Sequence, residues 1–96
     1  MLHSSSFYFI INPASGSGKA LPYWHKIKPT LAANFHFAFA ITEYPRHAEI
    51  LVRAAISAGY RKIIGVGGDG LFQEIGNGVL SQSDVEATAV LLGLIA

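Results

Sequence analysis

No cysteine occurs anywhere in the 96-residue chain. The chain therefore has neither a disulfide framework nor a cysteine-based zinc site, and its composition suits a reducing compartment. Charge is also scarce, since charged residues make up 14% of the sequence and the formal net charge is +1. Because Lys and Arg form no cluster, the sequence lacks the electrostatic features of a nucleic-acid-binding protein, and no nucleic-acid partner is predicted.

Long apolar runs are missing as well. The run from Phe7 to Ile11 is too short for the core of a signal peptide, and the residues before it include no basic region. The most apolar segment, Ala87 to Ala96, is much shorter than the roughly 20 residues of a membrane-spanning helix. We therefore expect a cytoplasmic protein whose only membrane contact would be peripheral, at the inner face.

Hydrophobic residues are abundant, at 51% of the chain, which is enough for one compact domain and too few for two cores. Apolar runs of strand length alternate with segments of helical periodicity, a pattern typical of a parallel sheet covered by helices on both faces. The predicted fold is thus a three-layer α/β sandwich with a mainly parallel sheet. The predicted strands are residues 7–11, 35–42, 62–66 and 89–95, and the predicted helices are residues 19–31, 47–58 and 71–80.

Proline and glycine mark several predicted boundaries. Pro22 is tolerable only in the first turn of the first helix, and Pro29 is expected to bring that helix to its end. Gly59 is expected to stop the second helix. Both faces of the second strand are expected to be covered, because its residues are apolar on both sides.

Two predicted strand-to-helix turns are rich in glycine. One runs from Asn12 to Lys19 (NPASGSGK) and the other from Gly65 to Gly70 (GVGGDG). Both follow the carboxyl ends of strands, the edge at which open α/β sheets bind ligands with free backbone N–H groups and helix N-termini. The pattern favours a phosphate-containing ligand, and the alternative is that these glycines serve only tight turns.

Neither standard nucleotide motif fits the first turn. A Walker A loop would need a glycine at Pro13 and a hydroxyl residue at Ala20, and a Rossmann fingerprint would need a glycine at Leu21. The second turn does match G-x-G-x-x-G through Gly65, Gly67 and Gly70, but it follows the third strand rather than the first. A different phosphate loop remains open.

Other polar residues give weaker signals. The histidines His3, His25, His36 and His47 have no metal-binding spacing, so no metal site is predicted. Ser15 and Ser17 lack the G-x-S-x-G context of a nucleophile. Lys19 could reach phosphate as a point charge or be a solvated residue of the first helical turn, and it is left out of the predicted site. Tyr23 and Trp24 are interpreted as packing residues.

Three segments taken together resemble the diacylglycerol kinase catalytic domain family. They are NPASGSGKA after the first strand, TEYPRHA after the second and GGDGLFQEIGNGVL after the third, in the order and context of that family. The family includes bacterial diacylglycerol kinases and the sphingosine and ceramide kinases, and its nucleotide domain resembles those of NAD kinase and phosphofructokinase. The resemblance implies that residues 1–96 are the N-terminal nucleotide-binding part, without the C-terminal β-rich domain.

The resemblance implies a function for the parent protein, namely ATP-dependent phosphorylation of a lipid hydroxyl with Mg²⁺. Its partners would be ATP and a lipid such as diacylglycerol, and membrane contact would come through the part that follows. The isolated chain is expected to be inactive. Self-association into a homo-oligomer is left open, and so is the lipid.

The resemblance also assigns residues. It places Asn12, Ser15 and Gly16 in a first phosphate-side loop and Thr42 at the base and ribose. The phosphate turn would consist of Gly67, Gly68, Asp69 and Gly70, where Asp69 acts on Mg²⁺ or as the proton acceptor and is the catalytic candidate. Glu74 would support the loop or reach the nucleotide, and Asn77-Gly78 would match the end of a helix.

Three further expectations concern single positions. Gly68 is expected to adopt a backbone conformation open mainly to glycine and, because its backbone approaches phosphate closely, to leave no room for a Cβ. His47 matches the histidine of the family's T-x4-H-A element, and we interpret it as a capping or packing residue. Leu71 departs from the Thr of most bacterial members and agrees with the sphingosine kinase branch.

Two alternatives remain at this point. One is a kinase of another family with a GGDG turn, acting on NAD or a sugar phosphate, although such families lack the NPASGSGKA loop. The other is a non-catalytic nucleotide-binding module or a self-associating fragment whose open sheet edge pairs with a second copy.

Overall fold

The computed structural model describes residues 5–95, so His3 lies outside the described residues. The sheet has four parallel strands in the order β2-β1-β3-β4. The strands are β1 (Phe7–Ile11), β2 (Phe37–Ile41), β3 (Lys62–Val66) and β4 (Leu91–Ile95). The helices are a four-residue turn α1 (Ser15–Gly18), α2 (Ala20–Asn34), α3 (His47–Ser57) and α4 (Asp69–Ser81), and a 3-10 turn covers Ala87–Ala89.

Helices cover both faces of the sheet, which confirms the predicted three-layer α/β fold. Trp24 of α2 packs with Phe9, Ile11 and Val66 on one face. On the other face, buried residues of α3 and α4 pack against Ile10 and Ile63. Side chains alternate between the two faces along a strand, so a strand with two covered faces is apolar throughout, as β1 is.

The first long helix, α2, does not end at Pro29. It continues to Asn34, three residues beyond the predicted end. Pro29 is exposed, so the carbonyl of His25, which loses its i+4 donor, lies on the solvent side of the helix. Leu31 packs against the core cluster around Trp24, and this contact favours continuation of the helix past the proline.

The second long helix, α3, ends as predicted. Gly59 has a φ of 107° and its N–H donates to the Ile56 carbonyl. Arg61 is partly buried and donates to the carbonyls of Ile56 and Tyr60 at 2.9 and 2.7 Å. It therefore caps the end of α3.

The third long helix, α4, extends past Asn77-Gly78, which was expected to match a helix end. Gly78 is buried where α4 crosses α3, and a Cβ there would lie 2.9 Å from the Glu49 carbonyl oxygen and from Val52 Cβ. The glycine therefore permits close helix packing. α4 also begins two residues earlier than predicted, because Asp69 and Gly70 carry no apolar signal.

The strand β2 lies at one edge of the sheet. None of its five residues is buried, so the expectation that both faces are covered is wrong for this strand. Phe37 and Phe39 nevertheless contact Trp24, with ring centroids 5.9 and 5.3 Å away.

Candidate functional site

The two glycine-rich turns meet at the carboxyl edge of the sheet, as predicted. Their strands β1 and β3 are adjacent and parallel, with Ile11 beside Val66. The Asn12 N–H donates to the Val66 carbonyl at 3.1 Å, and the Gly68 N–H donates to Ser15 Oγ at 3.3 Å. We call this contact between residues 53 positions apart the Ser15–Gly68 junction.

Gly67 allows the two turns to approach each other. It is buried, and a Cβ at this position would lie 2.7 Å from Ser15 Oγ and 2.9 Å from a methyl group of Leu71. Such distances are too short for a carbon atom, so the junction requires the absence of a side chain at Gly67. The sequence suggested a close approach to phosphate at Gly68. Within the protein, the glycine that permits a close approach, of Ser15 and Leu71, is Gly67.

Gly68 itself differs from its expectation. Its φ of −99° and ψ of −170° are extended and open to any residue, and a Cβ would meet no atom within 4 Å. The expected glycine-specific backbone is therefore wrong. The empty space beside Gly68 lies outside the fold, so only something bound there could exclude a side chain.

The first turn has a left-handed backbone. Gly16, Ser17 and Gly18 have φ values of 62°, 59° and 85°. Asn12 fixes the preceding residues, because its Oδ1 accepts a hydrogen bond from the Ala14 N–H at 3.0 Å and its carbonyl accepts one from the Ser15 N–H at 3.2 Å. The N–H groups of Gly18 and Lys19 donate to the Ala14 and Gly16 carbonyls within this turn. The N–H groups of Gly16 and Ser17 are the ones that an anion can bind.

The start of α4 carries a second set of donors. Gly68 is the N-cap residue, and no side chain caps the helix. The N–H groups of the first turn of a helix have no partner within the helix, and the aligned peptide dipoles add a partial positive charge there. The 13-residue helix thus begins at the Ser15–Gly68 junction with its donors uncapped.

Three of the predicted site residues line one cavity of about 410 Å³ on the β2 side of the junction. They are Asn12, Thr42 and Glu74, and we call this space the threonine cavity. The Thr42 N–H donates to the Ile11 carbonyl at 2.8 Å, which fixes the residue beside the first turn. Glu43 also lines the cavity, so two carboxylates face it.

Four other predicted residues line a second cavity of about 320 Å³ on the β4 side, which we call the glycine cavity. They are Ser15, Gly16, Gly67 and Gly68. Lys19 and Tyr23 also line it, although neither was among the predicted site residues. Lys19 directly follows the glycines of the first turn. No other feature of the sequence indicates that Lys19 and Tyr23 line this cavity.

Asp69 and Gly70 line neither cavity. Both are exposed in the first turn of α4, directly after the junction. The carboxylate of Asp69 is therefore available to solvent, directly after Gly68. A negative side chain in the first turn is also favourable for the helix dipole.

His47 has an architectural role, as interpreted from the sequence. Its Nδ1 accepts a hydrogen bond from the Glu43 N–H at 3.0 Å, and its ring stacks on Tyr44 with a centroid distance of 4.2 Å. These contacts fix the loop between β2 and α3, which forms one wall of the threonine cavity.

Arg46 and Glu49 form an ion pair beside this loop. The Arg46 side chain donates to both carboxylate oxygens, at 3.1 and 3.3 Å. These hydrogen bonds hold the pKa of Glu49 below its usual range and raise the pKa of Arg46, with a smaller contribution to Arg46 from the charge of Glu74. The Arg46 side chain remains 79% exposed.

Residues 5–95 contain no group of three or more His, Asp or Glu side chains that could hold a metal ion. No described helix is both long enough and apolar enough to cross a membrane.

Comparison with known proteins identifies relatives. The profile of the diacylglycerol kinase catalytic domain matches residues 6–96. YtlR of Bacillus subtilis, a provisionally assigned lipid kinase, is 35% identical over 94 residues, covering 93% of this chain and 30% of YtlR. Sphingosine kinase 1 of Homo sapiens is 35% identical over 79 residues, covering 80% of this chain and 21% of that enzyme.

Solved structures give the same result. A provisionally assigned diacylglycerol kinase from Bacillus anthracis superposes with a TM-score of 0.78 at 27% identity, covering 95% of this chain and 32% of that one. Another crystal structure of a diacylglycerol kinase from the same organism gives a TM-score of 0.76. The chain thus spans about a third or less of the length of the relatives it matches.

Proposed function

Because the chain belongs to the diacylglycerol kinase catalytic domain family, we propose that it supplies the ATP phosphate-binding loops of a lipid kinase. The parent reaction is ATP-dependent phosphorylation of a lipid hydroxyl, on diacylglycerol or a related lipid. In that reaction the hydroxyl oxygen attacks the γ-phosphorus in line, and ADP leaves.

The observation that carries this proposal is the Ser15–Gly68 junction. It places the left-handed turn of Gly16 to Gly18 next to the uncapped start of α4. Each feature alone is compatible with a turn that merely connects a strand to a helix. Together they concentrate backbone N–H donors and a helix dipole on one small region, which is the arrangement that binds phosphate.

The two cavities support one orientation of the nucleotide. The base and ribose occupy the threonine cavity, where Thr42, Asn12 and Glu74 offer hydroxyl, amide and carboxylate groups. The phosphates then extend across the junction toward the glycine cavity, where Gly16 and Gly68 expose backbone. Lys19 lines that cavity and supplies a positive charge.

Asp69 fits an Mg²⁺-linked role. It is an exposed carboxylate directly after Gly68, which lines the glycine cavity, and Mg²⁺ in kinases is commonly held by one or two carboxylates together with phosphate oxygens and water. The ion neutralises charge on the phosphates when it is bound. Asp69 is also the candidate to accept the proton of the lipid hydroxyl.

Two carboxylates, Glu43 and Glu74, line the threonine cavity and disfavour phosphate there, which supports placing the phosphates on the other side of the junction.

A titration followed by ¹H–¹⁵N NMR tests this placement. With ATP and Mg²⁺, the amide signals of Thr42, Gly16, Gly68 and Gly70 are expected to shift most. Adenosine should shift Thr42 without the glycines, and inorganic triphosphate should shift the glycines without Thr42. Shifts confined to the opposite end of the sheet, near His36 and Gly59, would contradict the proposal, as would the absence of shifts with all three ligands.

A further inference from the structure

Tyr44 is an exposed aromatic residue in the loop between β2 and α3. Its side chain is 52% exposed, and it lines the threonine cavity together with Thr42 and Glu74. Tyr44 belongs to neither of the two core clusters formed by the described residues, so packing of the fold does not account for an aromatic residue here. Aromatic side chains on the wall of a cavity commonly contact a ligand.

The ring of Tyr44 has one covered face. The imidazole of His47 stacks on it with a centroid distance of 4.2 Å and an interplanar angle of 15°. Tyr44 lines the threonine cavity, whereas His47 does not. The covered face therefore lies on the side away from the cavity, and the opposite face of the ring is the one that the cavity exposes.

The loop that carries this ring is fixed by hydrogen bonds. The Glu43 N–H donates to His47 Nδ1 at 3.0 Å, and the His47 N–H donates to the Tyr44 carbonyl at 3.1 Å. Pro45 follows Tyr44 and restricts the backbone further, because its ring fixes φ. A binding group that is fixed before the ligand arrives loses little entropy on binding. The Tyr44 ring is thus already positioned without a ligand.

We propose that Tyr44 is the residue on which the nucleotide base stacks, with the base against the ring face opposite His47. The inference rests on the proposed function, which places the base and ribose in the threonine cavity, and it adds the side chain that recognises the base. Every base has a π face, so such a stack is tolerant of base identity. Tyr44 therefore selects a planar base over other groups, and not one base over another.

The rest of the cavity suits an uncharged planar group. Its volume of about 410 Å³ is within the range of about 300–1,000 Å³ that is usual for small-molecule sites. Pro13, Ala14 and Leu71 contribute apolar surface. The carboxylates of Glu43 and Glu74 accept hydrogen bonds, which the ribose hydroxyls and the amino group of adenine can donate. Carboxylates that disfavour phosphate are therefore compatible with a nucleoside.

The position of Tyr44 also agrees with the direction assigned to the nucleotide. Because β1 lies between β2 and β3, the loop after β2 and the turn after β3 are on opposite sides of the end of β1. A nucleotide with its base on Tyr44 and its phosphates at the Ser15–Gly68 junction must cross the end of β1. Asn12 follows β1 directly and lines the same cavity as Tyr44.

The first test is NMR spectroscopy of the unmodified chain with ATP and Mg²⁺. Stacking on an aromatic ring should move the H2 and H8 signals of adenine upfield, and nuclear Overhauser effects should connect these protons with the ring protons of Tyr44. Overhauser effects from the adenine protons to other residues, without Tyr44, would overturn the proposal.

The second test compares two substitutions by calorimetric titration. Tyr44→Leu keeps an apolar side chain but removes the ring, so the affinity for ATP with Mg²⁺ is expected to fall about tenfold, as for the loss of one base–aromatic stack. Tyr44→Phe keeps the ring and should bind ATP as the unmodified chain does. Neither substitution should change the affinity for inorganic triphosphate, which has no base.

The control is Phe35→Leu, which makes the same kind of change at a half-exposed ring before β2, at the opposite end of the sheet. It should leave both affinities unchanged, and urea unfolding confirms that every variant is folded. An equal loss of affinity for ATP and for triphosphate in Tyr44→Leu would reject the stack, because the effect would not depend on the base.

Unchanged ATP affinity in Tyr44→Leu would also reject the stack, and it would leave the proposed function intact. The proposed function has a separate mode of failure, in which the unmodified chain binds neither ATP nor triphosphate. That result would overturn both proposals together.

Discussion

Arg46 holds a left-handed backbone conformation, with a φ of 68°. Among the described residues only Ser17 shares this property without being glycine. A side chain in this region costs about 1–2 kcal/mol, because its Cβ approaches the neighbouring carbonyl oxygen. Arg46 precedes α3 directly, and its ion pair with Glu49 helps to hold the loop that forms a wall of the threonine cavity.

The first prediction compares two substitutions at this position. Arg46→Gly and Arg46→Ala both remove the ion pair with Glu49, but only the glycine variant removes the backbone strain. Arg46→Gly is therefore expected to be more stable than Arg46→Ala by about 1 kcal/mol in urea unfolding. Equal free energies of unfolding would show that the loop relaxes out of the left-handed conformation.

The same ion pair predicts a dependence on pH. The pKa of Glu49 is lowered in the folded chain, so its contribution to stability is complete above the ordinary glutamate pKa of about 4.5 and is lost as the pH falls through the lowered value. NMR titration of the Glu49 carboxyl should show its pKa rising in Arg46→Gly. An unchanged pKa would mean that Arg46 is not its cause.

Single residues of the site were predicted unequally well. Asn12, Thr42 and Gly67 follow the ends of β1, β2 and β3, as the apolar pattern predicted, and their roles toward a nucleotide stay predictions. Lys19 and Tyr23 were not predicted as cavity residues, and the conformation assigned to Gly68 was wrong. Contacts across the Ser15–Gly68 junction depend on packing between residues 53 positions apart, which local spacing does not encode.

At the scale of elements, α2 shows how tertiary contacts overcome a local signal. The first core residue of this helix, Trp24, is fully buried between the helix and the sheet, and Leu31 adds to the same cluster after the proline. A proline inside a helix costs about 3 kcal/mol through its lost hydrogen bond and its clash with the preceding turn. The aromatic core on this face offsets that cost.

The third prediction follows for Pro29. Because this residue is exposed, replacing it with alanine should restore the hydrogen bond to the His25 carbonyl without disturbing the core. Pro29→Ala is expected to raise the free energy of unfolding by about 1–2 kcal/mol, after allowance for the greater freedom of the unfolded chain. A loss of stability in urea unfolding would contradict this account of the helix.

The fourth prediction concerns the crossing of α3 and α4. Gly78→Ala should lower the free energy of unfolding by about 1–3 kcal/mol, since its Cβ would lie 2.9 Å from backbone and side-chain atoms of α3. Gly76 lies on the same helix and has no atom within 4 Å of a Cβ. Gly76→Ala is the matched control and should raise stability by about 0.5–1 kcal/mol. Equal effects at both positions would mean that the helices are not in close contact.

Element boundaries were predicted correctly where an apolar run changes abruptly to polar residues or glycine. β1 and β3 have the predicted bounds because each apolar run is limited by polar residues or glycine. β4 begins two residues late, because Ala87–Ala89 form a 3-10 turn that apolar content alone does not distinguish from a strand. The ends of the long helices differ from the predicted ends by up to three residues. Capping and packing decide where a helix begins and ends.

At the scale of the whole molecule, the order β2-β1-β3-β4 places the two glycine-rich turns after adjacent central strands. This adjacency was predictable, because both turns were expected to face one ligand. The division of the site into two cavities was not predictable, because it results from how the loop after β2 and the start of α2 cover opposite sides of the junction.

The fifth prediction is that the isolated chain has no measurable lipid kinase activity. Phosphoryl transfer depends on groups positioned on both sides of the reacting phosphate, and the chain spans about a third or less of its relatives. Transfer of labelled phosphate from ATP to diacylglycerol or a sphingoid base should not exceed that of an Asp69→Ala control. Transfer above the control would show that these residues form a complete site.

The most direct test of the central claim, that the two turns bind the phosphates of ATP, is calorimetric titration of ATP and Mg²⁺ combined with urea unfolding of the Gly68→Ala protein. The added methyl group meets nothing within the fold, so stability should stay within about 0.5 kcal/mol. Affinity should fall at least about tenfold, or about 1.4 kcal/mol, because the methyl group occupies space needed by phosphate. Gly76→Ala should leave the affinity unchanged. Equal affinity of the folded Gly68→Ala and unmodified proteins would contradict the claim.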